Sequence, residues 1–224
     1  MNQALRVPRQ ETSLRERATH SLRTAILEGV FTPGQKLSER ELCEQLGVSR
    51  PCVRESLQHL QAEGLITVIQ HKGPEVASIS ASEVRDIYEV RENLEGLAGK
   101  GFALHATDAQ RAALRAKLDE LRQDVLAGDA RVILVAKNAF YDILIQGCGN
   151  AVVGQLLRQL NNRVTLLRRI SMGQAGRLPE MMEELDAIVT AIEQRDGKKA
   201  AKLCQAHVRK AAGYVLRTLE PAAA

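Results

Sequence analysis

Tryptophan is absent from this chain, and aromatic residues make up only 3% of its 224 residues. A core without large rings is filled by Leu, Ile, Val and Ala, which favours helices packed through aliphatic ridges. Cysteine is sparse as well. Cys43, Cys52, Cys148 and Cys204 form no CxxC pair and no regular framework, so they read as reduced thiols of a cytosolic protein. No apolar run approaches the roughly 18–20 residues of a membrane span. The opening stretch MNQALRVPRQETS lacks the apolar segment of a signal peptide and reads as a flexible polar tail over residues 1–11. A strong charge of one sign is missing too. The net charge is +4, and residues 1–77 carry ten Lys and Arg against nine acidic residues. Nucleic-acid binding is permitted by that balance but not argued by it; any such contact must come from placement.

What is present is helical periodicity. Leu14, Ala18, Leu22, Ala25 and Ile26 share one face of a helix over 14–28 that Gly29 ends. Phe31-Thr-Pro-Gly34 reads as a turn. Ser38-Glu-Arg-Glu41 has the S-x-x-E form of a capping box and opens a short helix over 39–46, stopped by Gly47. Ser49 is the next N-cap candidate, for a helix to about Glu63 with Val53, Leu57 and Leu60 buried. Residues 65–69 form a β-branched strand signal, His71-Lys-Gly-Pro74 a turn, and 75–77 a return strand. Ser80-Ala-Ser-Glu83 is a second capping box. Six helices are expected behind it, at about 82–104, 108–127, 129–147, 151–172, 179–195 and 198–219. The fold class is therefore mainly α: a winged helix-turn-helix over 12–77, a linker over 78–82, and an all-helical bundle over 83–220.

The two short helices around Gly47-Val48-Ser49 fit a helix-turn-helix, with the Gly making the tight turn. Its second helix would enter the major groove by its N-terminal end. Arg50 and Arg54 lie one turn apart there, and Arg suits bidentate contact with guanine or phosphate. Ser49 and the helix N-terminus suit phosphate. Arg40 begins the preceding helix, and His71, Lys72 and Gly73 form the hairpin tip. The competing reading of two Arg residues on a helix is a plain solvated face.

Residues 12–77 resemble the GntR family of bacterial regulators. The resemblance is carried by Pro33-Gly34-Gln35-Lys36-Leu37-Ser38-Glu39-Arg40-Glu41-Leu42, Leu46-Gly47-Val48-Ser49-Arg50, Val53-Arg54-Glu55-Ser56-Leu57, Glu63-Gly64-Leu65-Ile66 and the Lys72-Gly73 tip. It implies DNA contact by Arg40, Arg50 and Arg54, with Ser49 on phosphate and Gly73 at the minor groove. Pro51-Cys52 stands where the family usually has Thr-Pro, which bears on base preference. Cys52 reads as a small residue tolerated in a first turn rather than as a redox sensor.

The stretch from Val84 through Arg91 and Glu95 to Ala98 resembles the first helix of the FadR-type (FCD) effector domain. Phe140, Gly149-Asn150, Ala191-Ile192 and His207 continue the likeness. Such domains are helical bundles that position two DNA-binding heads as a dimer, and many bind a small carboxylate near a metal. The family's metal set is one Asp, a His four residues later and two further His. Here Lys137, Tyr141 and Leu185 stand at the first three positions and only His207 remains, with Asn138 and Asp186 off-register. No metal and no cofactor are expected. Lys137 and Tyr141, one turn apart, either face the bundle interior and bind an anion with Arg91 and His207, or stand as a snorkelling lysine and a core tyrosine. His207 by itself is as readable as a satisfied core histidine, and Arg163, Arg168 and Arg169 read as a solvated or interface face.

These readings converge on a cytoplasmic transcription factor without enzymatic activity. It would bind double-stranded DNA as a homodimer on a pseudo-palindromic operator, under control of a small carboxylate effector. Repression rather than activation is what the resemblance implies. The alternatives are a metal-dependent sensor with a rearranged site and an enzyme carried by the helical half. The second lacks a Gly-rich phosphate loop, a Ser/His/Asp order and paired carboxylates.

Overall fold

Why each segment adopts its element is visible at its ends. In the computed structural model, which describes residues 13–69 and 72–220, helix α1 runs Leu14–Glu28. It begins with a full capping box. The Ser13 hydroxyl accepts from the Glu16 amide, and the Glu16 carboxylate accepts from the Ser13 amide. Helices α2 (Glu39–Leu46) and α3 (Arg50–Ala62) follow, then strands β1 (Ile66–Ile69) and β2 (Gly73–Val76), paired antiparallel with Ile66 opposite Val76. The first unit, Met1–Ser78, is held by Leu22, Ile26, Leu42, Val53, Leu57, Leu60 and Leu65, all buried. Thr19 and Ser56, both buried, join α1 to α3 through their hydroxyls at 3.0 Å. The chain before α2 adds a third edge to the hairpin: the Leu37 amide donates to the Pro74 carbonyl, and the Val76 amide to that of Gln35. The expected tail and His71 lie outside the described residues.

The second unit, Ile79–Ala224, is helical: α4 (Ala81–His105), α5 (Asp108–Ala127), α6 (Ala130–Gln146), α7 (Ala151–Met172), α8 (Arg177–Glu193) and α9 (Gly197–Leu219). Helix α8 starts two residues before the expected Pro179. The missing amide of Pro179 falls in the first turn, where no carbonyl awaits it. Helix α4 packs mainly along α9 and also meets α6, α7 and α8. That closeness needs glycine. A methyl at Gly99 would sit 2.5 Å from the Cys204 sulfur, and one at Gly101 would overlap the Cys148 carbonyl. The largest apolar cluster contains Phe102, Leu114, Leu118, Phe140, Met181, Leu185 and Ile188. A second holds Val84, Ile87, Tyr88, Leu167 and Val208. No described helix is long and apolar enough to cross a membrane.

Candidate functional sites

In the first unit, α2 and α3 meet at Gly47, whose φ of 64° is the left-handed conformation a side chain would oppose. Ser38 caps α2 through the Glu41 amide. The reciprocal half expected of a capping box is not made there. The same holds at Ser80, which caps α4 while the Glu83 carboxylate pairs with Arg163. Ser49 opens α3, yet its hydroxyl makes no capping bond and is exposed. Arg40, Arg50 and Arg54 are exposed, the first in the opening turn of α2 and the others one turn apart at the start of α3. Arg54 is also tethered: its Nε donates to both oxygens of Glu39 at 3.0 and 2.9 Å. That tie between α2 and α3 was not anticipated from sequence. Lys72 is exposed beside Gly73, which takes a φ of 84° at the start of β2.

The second unit has an unusual interior. Arg91, Lys137 and His207 are each 1% exposed and Tyr141 is 3% exposed. Lys137 is therefore not a snorkelling lysine. Three residues not counted as site candidates join them. Glu95, one turn beyond Arg91 on α4, accepts from Arg91 Nε and Nη2 at 2.9 and 2.8 Å. Arg177, the first residue of α8, donates to both Glu184 oxygens at 2.9 and 2.8 Å. Arg168 departs from the solvated or interface face expected on α7, because it is buried within the chain itself. It is 4% exposed, its guanidinium lies 4.0 Å from the Tyr141 ring centre, and its Nη1 donates to Asn138 at 2.7 Å. Arg169 is exposed, and Arg163 is half-exposed. Only Glu95 of the three stood inside the quoted family stretch. Arg168 and Arg177 come from α7 and α8, whose spacing in sequence carries no sign of convergence.

The protonation pattern follows from burial and neighbours. Burial drives Lys137 well below the usual lysine range, and Arg168, Arg177 and Arg91 push it the same way. Burial raises Glu184, but hydrogen bonds from His207 and Arg177 outweigh it and hold the carboxyl at about 2. Burial lowers His207 to about 4, against the pull of Glu184. His207 is thus neutral, and its Nδ1, 2.5 Å from a Glu184 oxygen, must carry the proton. The Arg177 contact with the same nitrogen at 3.4 Å is then a neighbour and not a hydrogen bond. Several buried atoms have no partner: Arg91 Nη1, Arg168 Nε, Arg177 Nε, His207 Nε2, the Tyr88 hydroxyl and Thr165 Oγ1.

The residues at the family's metal positions do not fit a cation. A lysine, Lys137, stands at the carboxylate position among buried arginines, and Leu185 is fully buried in the apolar core. Asn138 is engaged by Arg168, and Asp186 pairs with Arg115 and Arg122. Among the described residues no group of three or more His, Cys, Asp or Glu is placed to hold a metal ion.

A helix-turn-helix with a two-stranded wing and a separate bundle of six helices describes a class of bacterial transcription factor. Family models agree: bacterial regulatory proteins of the gntR family match residues 14–76, and the FCD domain matches residues 86–210. The chain belongs to the GntR family and carries an FCD domain. It is 30% identical over 194 residues to the Nta operon transcriptional regulator of Aminobacter aminovorans, covering 86% of this chain and 90% of that one. To the HTH-type transcriptional repressor GlaR of Escherichia coli it is 28% identical, covering 84% and 89%. Among solved structures, E. coli McbR/YncC aligns with a TM-score of 0.79 at 20% identity, covering 93% of this chain and 99% of that one. A likeness that distant speaks to the fold alone. The protein is a transcriptional regulator of the GntR/FCD type, and its helix-turn-helix implies DNA binding.

Proposed function

We propose that this regulator is a repressor that reads a pseudo-palindromic operator as a homodimer and loses or gains affinity when a small anion binds inside its helical domain. The observation that carries the effector half is the buried charge cluster. Four basic side chains, Arg91, Lys137, Arg168 and Arg177, face two buried or nearly buried carboxylates, Glu95 and Glu184. Isolated charge is costly in an interior, and an anion from solution offsets it. Repression is supported by relatives named as repressors, GlaR among them. A cytoplasmic location goes with this role. No catalytic step is assigned to the cluster.

On the DNA, Arg50 and Arg54 at the exposed start of α3 read bases in the major groove. Glu39 holds the Arg54 guanidinium in place. The unengaged Ser49 hydroxyl and the α3 amides take a phosphate, Arg40 reaches base or backbone, and Lys72-Gly73 lie along the minor groove. His71 shares that role by its place in the sequence. The test is operator binding by gel shift with Arg50→Ala and Arg54→Ala. Each should weaken specific binding by about 1–3 kcal/mol with folding unchanged. Wild-type affinity in both variants would remove the placement.

A further inference from the structure

The metal positions of this domain and its surplus of buried cations lie in the same cluster. Arg91 and Glu95 of α4, Arg168 of α7, Arg177 of α8 and His207 of α9 interact electrostatically with Lys137, and Tyr88, Tyr141, Glu184 and Cys204 adjoin members of the same group. Glu95 is spent on Arg91, and Glu184 on Arg177 and His207. Arg168 hydrogen-bonds only a neutral amide and lies over an aromatic face, and no carboxylate forms a described ion pair with it or with Lys137, although Glu95 acts on both from a distance. Asp142 acts on Arg168 as well, but it is exposed. Arg168 is therefore left in the interior without a hydrogen-bonded carboxylate, beside a Lys137 amine whose charged form the same surroundings oppose. The N–H groups left without partners, Arg91 Nη1, Arg168 Nε and Arg177 Nε, belong to three helices that all act on Lys137.

We infer that this domain binds a dianion directly and without a metal, the Lys137 ammonium standing where a divalent cation would otherwise neutralise the ligand. One negative charge balances Arg168 and the other favours the protonated form of Lys137, which takes up a proton as the anion binds, while the free guanidinium N–H groups donate to its oxygens. A dicarboxylate and a phosphate monoester both have this chemistry; a monocarboxylate leaves one cation unmatched. The inference rests on the effector reading above and names its ligand class and its independence of metal.

The experiment uses the full chain stripped with EDTA and kept in chelator, titrated calorimetrically with succinate, inorganic phosphate and acetate. Succinate or phosphate should bind at one per chain, and acetate about tenfold more weakly or worse. Whichever dianion binds tells dicarboxylate from phosphate. Lys137→Met should cost about a hundredfold in that affinity while its melting curve stays cooperative and its anion-free operator binding is kept. Binding that appears only when Zn, Ni or Mn is added, acetate as tight as the dianions, or undiminished binding by Lys137→Met overturns the inference. So does no binding of any of the three anions. In each of those cases intact operator binding, weakened in Arg50→Ala, leaves the regulator reading standing.

Discussion

Lys137 is the residue on which most turns. A buried amine on which three guanidinium groups act destabilises the anion-free protein, because burial and like charge both oppose its charged form. Methionine has similar length and no charge to bury. Lys137→Met should therefore raise the stability of the anion-free chain by about 1–3 kcal/mol, read from urea unfolding; a clear loss would mean that Lys137 is already well satisfied. Glu184 and His207 give the pH response. Their folded values, about 2 and about 4, lie below their ordinary values of 4.5 and 6.5. A depressed folded value means that the unfolded chain binds protons first. Stability is then fully present above pH 6.5, falls as pH drops from 6.5 toward 4 through His207, and falls further between 4.5 and 2 through Glu184. His207→Gln should flatten the upper part of that fall in unfolding midpoints measured against pH.

At the scale of elements, helix ends and close crossings dominate. The Thr107 hydroxyl and the Gln110 side chain close a full capping box at the start of α5, although the sequence marked only a break there. The S-x-x-E runs at Ser38 and Ser80 supply only the serine half, since Glu83 finds a better partner in Arg163 across the bundle. The spacing was visible in each case; which way the third residue turned depended on its tertiary neighbours. The contact of α4 with the turn after α6 is less forgiving. Gly101→Ala would drive a methyl into the Cys148 carbonyl, and backbone cannot rotate aside. Overpacking of this kind should cost about 1–3 kcal/mol and lower the thermal midpoint; an unchanged midpoint would show that the turn can yield.

For the whole molecule, the reading is one of linkage between two sites on one chain. Saturating a dianion should change operator affinity by a factor of about 5–150, corresponding to about 1–3 kcal/mol of coupling. The same factor must appear as a change in anion affinity when operator is present. Fluorescence anisotropy with labelled operator, with and without the anion, measures the first, and Lys137→Met should abolish it. An anion that binds tightly but leaves operator affinity untouched would separate the buried cluster from regulation.

The local pattern along the chain determined much. The apolar period of 3.6 placed the helices, Gly47 and Ser49 marked the turn into α3, and the arginines at 40, 50 and 54 could be named from their positions alone. Those are properties of neighbours a few residues apart, and short-range sterics and capping settle them. The interior of the helical domain was different. Lys137, Tyr141, Arg91 and His207 were named from a family pattern, but whether Lys137 faced inward stayed open, and Glu95, Arg168, Arg177 and Glu184 were missed. A charged residue on a helix looks the same in sequence whether water or another helix lies over it. Only the packing of α4, α6, α7, α8 and α9 decided that, because burial is set by what the rest of the chain brings to a surface.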